Sequence, residues 1–349
     1  LIIMNKKIKV SIVGGSGYTG IELLRLLALH PHVEILYITS RNDAGKFVCD
    51  IYSSLRGVLS HKFVDPDKVE LGNSDLVFFA TPSGIAMNYA KKLLEKGIKI
   101  IDLAADFRIK DVKKWEKWYE MTHKCPDIVE KAIYGLPEVN RNLIKDAQIV
   151  ANPGCYPTAI QLALNPLLKE GLIDPISIIA DAKSGISGAG KKNHNDLLLS
   201  EASENFKAYS ITGHRHLPEI EENLTKNSTI GEVKVLFTPH LLPISRGIHA
   251  SIYVNCIKDF DPSGIFKKYY ANEPFIDVLE KNSCPETKSV RGSNICRISY
   301  FKVPDTNQLL VLVVIDNLVK GAAGQAIQNM NIMMKFEETL GLQSIPLVP

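Results

Sequence analysis

Cysteine is scarce in this chain. Six cysteines in 349 residues, at positions 49, 125, 155, 256, 284 and 296, are too few for a disulfide scaffold. None forms a CxxC pair, and their spacing fits no zinc pattern. An excess of one charge is also lacking: 41 Lys and Arg against 38 Asp and Glu leave +3. That excludes a nucleic-acid binder held by charge alone. Long apolar runs are missing, since none reaches the roughly 18 residues of a membrane span. Residues 1–7 lack the apolar stretch of a signal peptide, and Met4 is the more natural start. Disorder is excluded by the 45% of hydrophobic residues. What remains is the expectation of a soluble enzyme of a reducing compartment, hence cytoplasmic, without nucleic-acid or membrane partners. The length implies roughly two domains.

Strand-like and helix-like stretches alternate through the first 150 residues. The pattern predicts strands over 8–14, 33–40, 76–81, 99–105 and 148–154. It predicts helices over 18–29 and 83–97, the second with Ser83 as N-cap and Gly97 as its stop. Such alternation implies βαβ units and a Rossmann-type parallel sheet. After a helix over 157–172 the texture changes. Strands over 176–184, 233–242, 248–257, 295–303 and 309–316 follow with few helices between, predicting an α+β domain with a mixed or antiparallel sheet. A last helix over 321–338 is expected to dock back on the first domain. The expected division is therefore 1–154 with 318–349, and 155–317.

Gly15-Ser16-Gly17-Tyr18-Thr19-Gly20 fits G-x-G-x-x-G, preceded by Gly14, after a strand and at a helix start. Glycines there allow a tight turn and close approach of a pyrophosphate to the helix N-terminus. The second strand ends Thr39-Ser40-Arg41-Asn42, with no acid for the ribose hydroxyls of NAD. Arg41 can instead pair with a 2′-phosphate, which favours NADP. The alternative is a packed βα turn and a solvated arginine.

Asn152-Pro153-Gly154-Cys155-Tyr156-Pro157-Thr158 joins a strand to a helix. Cys155 just before a helix N-terminus is a candidate nucleophile, because that setting favours the thiolate. The other five cysteines read as small buried hydrophobes. Gly213-His214-Arg215-His216-Leu217-Pro218-Glu219 offers a proton shuttle, with Pro218 in a first helical turn and Glu219 complementing the dipole. An isolated HxH is more often a surface pair near a cap. A metal reading lacks a third and fourth ligand. Lys183-Ser184-Gly185-Ile186-Ser187-Gly188-Ala189-Gly190-Lys191-Lys192 is a second glycine-rich loop, suited to an anionic substrate. Arg108 and Arg246 are further candidates for anion contacts.

These segments together resemble the N-acetyl-gamma-glutamyl-phosphate reductases of arginine biosynthesis. The resemblance rests on GGSGYTG at 14–20, TSRNDAGK at 39–46, ADFR at 105–108, NPGCYPTA at 152–159, KSGISGAGK at 183–191, GHRHLPEI at 213–220, TPHLLPISRGI at 238–248 and DNLVKGAAGQAIQNMN at 316–331. His249 departs from the pattern, standing where an apolar residue is more usual. The resemblance implies Cys155 as nucleophile and His216 or His214 as acid–base, with His216 favoured. It implies NADP contacts at Gly14, Gly15, Ser16, Gly17, Tyr18, Thr19, Gly20, Ser40, Arg41, Thr81, Pro82, Ser187, Gly188 and Asn317. It implies substrate contacts at Arg108, Asn152, Lys183, Ser184, Arg215 and Arg246. A homotetramer, no metal, and N-acetyl-glutamyl phosphate as substrate follow from it as well. Aspartyl phosphate, or a carrier-linked glutamyl or amino-adipyl phosphate, would suit the same chemistry. A non-catalytic NADP sensor on the same fold is the alternative of a different class.

Overall fold

A computed structural model describes residues 7–191 and 199–347. Met4 and Lys192 lie outside the described residues. The chain divides into two compact units, one of residues 1–153 with 322–343, the other of 154–321 with 344–349. Among the described residues no helix is long and apolar enough to cross a membrane. None of the six cysteines is in a disulfide, and the expectation that the five besides Cys155 are buried is corrected: Cys125 and Cys296 are, Cys49 and Cys256 are half-buried, and Cys284 is exposed.

The first unit is built on seven parallel strands. They are β1 (Ile8–Val13), β2 (Val33–Thr39), β3 (Phe63–Val64), β4 (Leu76–Phe79), β5 (Lys99–Asp102), β6 (Ile133–Tyr134) and β7 (Ile149–Ala151), in the order β3-β2-β1-β4-β5-β7-β6. The fully buried LVFF run of β4 is the near-continuous apolar sequence of a central parallel strand. The order reverses between β1 and β4, and such a switch point opens a crevice at the carboxyl ends of the strands. The helix Tyr18–Leu27 follows β1.

The segment predicted as one helix over 83–97 is a 3-10 turn, Ala86–Asn88, followed by the helix Ala90–Glu95. Ser83 caps neither. The buried Asp106 carboxylate accepts the N–H groups of Gly84 and Met87 instead, at 2.7 and 3.1 Å. The C-terminal helix is also shorter than predicted. A π-helical turn, Val319–Ala323, precedes the α-helix Gly324–Met333. Asn329 and Gln325 of that helix donate to the Gly135 carbonyl at 2.9 and 2.8 Å. Asn331 meets the His30 ring at 3.0 Å. These buried polar side chains tie the helix to the first unit, because an unmet polar group there would be costly.

The second unit holds β8 (Ile178–Gly185), β9 (Lys207–Ala208), β10 (Val235–Leu242), β11 (Ile248–Asn255), β12 (Ile276–Val278), β13 (Cys296–Lys302) and β14 (Gln308–Ile315). Their order is β12-β13-β14-β11-β8-β10-β9. β8 pairs β10 in parallel and β11 antiparallel, so the sheet is mixed. Burial alternates along β8 and β11, as in a sheet with one covered face. The covering helix is Cys155–Lys169, thirteen of whose residues are buried. It packs on β11, β14 and the helix Leu217–Asn227. The expected start at 157 is corrected by two residues: Pro157 is an internal first-turn position, where proline costs nothing.

Candidate active site

The glycine loop lies at the carboxyl end of β1. Gly14 has a φ of +89°, and a Cβ there would sit 2.5 Å from the Ala80 carbonyl oxygen. At Gly15 a Cβ would meet Ile38 Cγ2 at 2.4 Å, and at Gly20 the Gly14 oxygen at 2.4 Å. Those three glycines are required by packing. Gly17 is different, because a Cβ there would find nothing nearer than 3.9 Å. Gly17 is also the N-cap of the helix Tyr18–Leu27, which has no side-chain cap and no acid in its first turn. The helix start therefore presents open backbone and a positive dipole end.

Thr81 follows β4 across the switch point, close to Gly14. Its buried hydroxyl has no hydrogen-bond partner among the described residues. Pro82 beside it is exposed. Ser16 and Ser40 share a 2.8 Å hydrogen bond, and Tyr52 donates to the Ser16 carbonyl at 2.5 Å. An uncapped helix start, open backbone at Gly17 and the unmet Thr81 hydroxyl fit a dinucleotide pyrophosphate. Arg41 stands at the end of β2, exposed and forked on Asp67 at 2.6 and 3.1 Å. The expectation pairs it with a 2′-phosphate; in the structure its partner is the Asp67 carboxylate. Exposed pairs of this kind are weak.

Cys155 is the first residue of its helix and Gly154 the N-cap, a correction to the expected position before the helix. The helix start has no side-chain cap and no acid in its own first turn. His216 is the N-cap of the helix Leu217–Asn227, with Pro218 in the first turn as expected. The two helix starts converge. A Cβ at Gly154 would lie 2.6 Å from His216 Nε2, so only glycine lets the imidazole close on the backbone beside Cys155. Gly321 closes the other side, where a Cβ would fall 2.7 Å from Cys155 Cβ.

His214 has different surroundings. Its Nδ1 accepts the His216 N–H at 3.1 Å. Its ring stacks edge-on with Tyr156, Tyr209 and Phe237. Burial, then the neighbouring Arg215 charge, push its pKa down to about 4, so it is neutral at physiological pH. Tyr209 donates to Tyr156, whose own hydroxyl donates to the His240 carbonyl at 3.2 Å.

A third cluster surrounds the end of β14. Asn317 Oδ1 accepts the Gly247 N–H at 2.8 Å, and its Nδ2 donates to Ser187 Oγ at 3.0 Å. A Cβ at Gly188 would come within 2.8 Å of Ser184 Oγ. The buried Asp316 accepts from Gly292, Leu318 and Val319, and faces Arg246 at 3.6 Å. Lys183 is held by Asp181 at 2.6 Å, and Arg215 is exposed. Arg108 and Asn152, by contrast, have internal partners in the first unit. Arg108 is buried and donates to the carbonyls of Asn152 and Leu103, both at 2.7 Å. Asn152 donates to Ala322 and accepts from Asn329.

Sequence reasoning missed two carboxylates. Asp316 stands in the sequence reading only as a strand end and the first residue of DNLVKG, with no role assigned to it. The sequence reading gives Glu219 only a part in complementing the helix dipole. It is fully buried, and its Oε1 accepts the Gly154 N–H at 2.8 Å. Its place three residues after His216 in HRHLPE was the available clue. Among the described residues no group of three or more His, Cys, Asp or Glu could hold a metal ion.

Comparison with known proteins shows the family. The model of the semialdehyde dehydrogenase NAD binding domain matches residues 9–147, and that of the semialdehyde dehydrogenase dimerisation domain matches 155–317. A relative from Nitrosomonas europaea, named N-acetyl-gamma-glutamyl-phosphate reductase, is 56% identical over 342 residues, covering 98% of this chain and all of the relative. One of the same name from Neisseria gonorrhoeae is 54% identical over 347 residues, covering 99% of this chain and all of the relative. Aspartate semialdehyde dehydrogenase II from Vibrio cholerae superposes with a TM-score of 0.73 at 17% identity, over 95% of this chain and 99% of that one. The Candida albicans aspartate semialdehyde dehydrogenase, solved with NADP, gives 0.70 at 16% identity, over 94% and 99%. At such identities the solved structures show the fold, while the full-length relatives show the family. The chain belongs to the semialdehyde dehydrogenase family, among the N-acetyl-gamma-glutamyl-phosphate reductases.

Proposed function

We propose that this enzyme reduces N-acetyl-L-glutamyl 5-phosphate to N-acetyl-L-glutamate 5-semialdehyde with NADPH, through a thioester on Cys155. The observation that carries the mechanism is the closure of His216 on Gly154, beside a cysteine that opens a helix. The substrate comes from the relatives' shared name over essentially their whole length.

His216 takes the Sγ proton, and the Cys155 thiolate attacks the acyl carbon. The carbon–oxygen bond to phosphate breaks, phosphate leaves, and the acyl group stays on sulfur. Backbone N–H groups at the helix start stabilise the oxyanion. Bound NADPH supplies the hydride that takes the acyl carbon to the aldehyde level. Cys155 then leaves as thiolate and recovers its proton from His216. His214, neutral throughout, fixes the loop that carries His216. Gly14–Gly20, with Ser40, Thr81 and Pro82, hold the dinucleotide. Arg41 exchanges Asp67 for the 2′-phosphate, and Ser187, Gly188 and Asn317 complete the cofactor's surroundings. Lys183, Ser184, Arg215 and Arg246 bind the anionic substrate. Arg108 and Asn152 support it by fixing the strand ends of the first unit. The same reading makes the enzyme cytoplasmic and homotetrameric. The matched dimerisation domain supports self-association.

The test is the reverse reaction: NADP reduction with N-acetyl-glutamate 5-semialdehyde, with and without phosphate. Phosphate-dependent reduction is expected. Reduction independent of phosphate would mean thioester hydrolysis, and activity only with aspartate semialdehyde would move the substrate to aspartyl phosphate.

A further inference from the structure

The segment after β3 has no part in the chemistry described above, yet it supplies the partner of Arg41. β3 pairs in parallel with the end of β2, Ile38 beside Phe63 and Thr39 beside Val64. The Ser40 N–H donates to the Val64 carbonyl at 3.0 Å and continues that pairing. The residues that follow Val64 are thereby set beside Arg41. They form a tight 3-10 turn, Pro66–Lys68, with Pro66 at its start and Asp65 as its cap. Asp65 Oδ1 accepts the Asp67 N–H at 3.0 Å, and the proline ring fixes the backbone between them. The Asp67 carboxylate is therefore presented by a preformed turn.

Its two oxygens take both Nη atoms of Arg41, at 2.6 and 3.1 Å, and Asp65 lies 4.0 Å from the same guanidinium. Two parallel bonds from the fork are also how arginine grips a phosphate. Lys46, another cation of the loop after β2, is held by Asp43 at 3.0 Å. The hydrogen bond from Arg41 keeps the Asp67 carboxyl below its ordinary range, so Asp67 is charged near pH 7.

We propose that Asp67 is a specificity-determining residue: it occupies the phosphate-gripping fork of Arg41 and so lowers the enzyme's preference for NADP over NAD. The 2′-phosphate must take the guanidinium from a carboxylate and then stand beside that carboxylate. Like charges a few ångströms apart repel, and the turn keeps Asp67 where it is. NAD carries a hydroxyl in that place and needs no exchange. The ion pair itself is exposed and weak. The larger part of the effect is the repulsion that remains after the exchange, and salt screens it.

The inference rests on Arg41 as the partner of the 2′-phosphate, and its test keeps the two apart. Dissociation constants of NADP and of NAD are measured by calorimetry at low and at high salt. The full-length enzyme is compared with Asp67→Asn, Asp67→Ala and Arg41→Ala. Both Asp67 variants are expected to bind NADP more tightly by about threefold or more at low salt, and the ratio of NADP to NAD affinity to rise with it. The gain is expected to shrink at high salt. NADP affinity that is unchanged or lowered in the Asp67 variants overturns the proposal. Unchanged affinity would make Asp67 a bystander, and lowered affinity would mean that it aims Arg41 at the phosphate. An equal gain for NAD overturns it as well, since the carboxylate would then act on the dinucleotide as a whole. Full NADP affinity in Arg41→Ala would instead sink the reading of Arg41 itself, whatever the Asp67 variants do.

Discussion

At Cys155 the decisive contact is made by an atom that is missing. Gly154 has no Cβ, and His216 Nε2 occupies the space one would need. Gly154→Ala is therefore expected to push the imidazole away from the helix start. A displacement of about 1 Å is enough to lower a rate about a hundredfold. Single-turnover measurements should show that loss with NADPH affinity unaltered. Cys155→Ser should abolish turnover while NADPH still binds, as read by quenching of protein fluorescence.

His214 carries a pH dependence of its own. Burial pushes its pKa down to about 4 in the folded protein, from an ordinary imidazole value of 6.5. Between those values the unfolded chain binds more protons, so this residue's contribution to stability falls as pH drops through that window. His214→Gln should flatten the acid side of the stability curve measured by urea unfolding at a series of pH values. A curve of unchanged slope would mean that His214 titrates normally.

At the scale of elements, the glycine loop separates two uses of one residue type. Gly20→Ala drives a methyl into the Gly14 carbonyl, 2.4 Å away, and should destabilise the turn. Gly17→Ala meets nothing within 3.9 Å, so the protein should fold normally. The methyl would stand where a pyrophosphate must approach, and NADPH affinity should fall at least tenfold. Equal affinity in a folded Gly17→Ala protein would remove the loop from the cofactor site. The motif was legible because strand, glycines and helix follow one another along the chain. The helix over 83–97 was misread because Asp106, a residue from the turn after β5, caps its first turn in place of Ser83.

At the scale of the whole molecule, the last helix is tied to residues of its unit that lie 177 to 301 positions earlier. Asn329, Gln325 and Asn331 satisfy buried groups at Gly135, Asn152 and His30. Removing residues 324–349 would leave those groups without partners and open the first unit's core. Loss of NADPH binding is expected in that truncation, although every residue of the glycine loop is retained. Retained binding with full affinity would show that the helix contributes little to the unit.

The sequence by itself determined the alternation of strands and helices, the glycine loop, the cysteine at a helix start and the paired histidines. Those are local patterns, carried by periodicity and by residue types that few backbones tolerate. Only the tertiary structure decided which histidine closes on Gly154, since His214 and His216 are two residues apart and chemically alike. Burial among Tyr156, Tyr209 and Phe237 makes His214 neutral, and the absent Cβ of Gly154 admits His216. Glu219, Asp316, Arg41 and Arg108 were likewise decided in three dimensions. A charge is assigned by the group it meets, and their partners, at Gly154, Arg246, Asp67 and Asn152, lie from 26 to 70 residues away. No pattern along the chain records contacts at such separations.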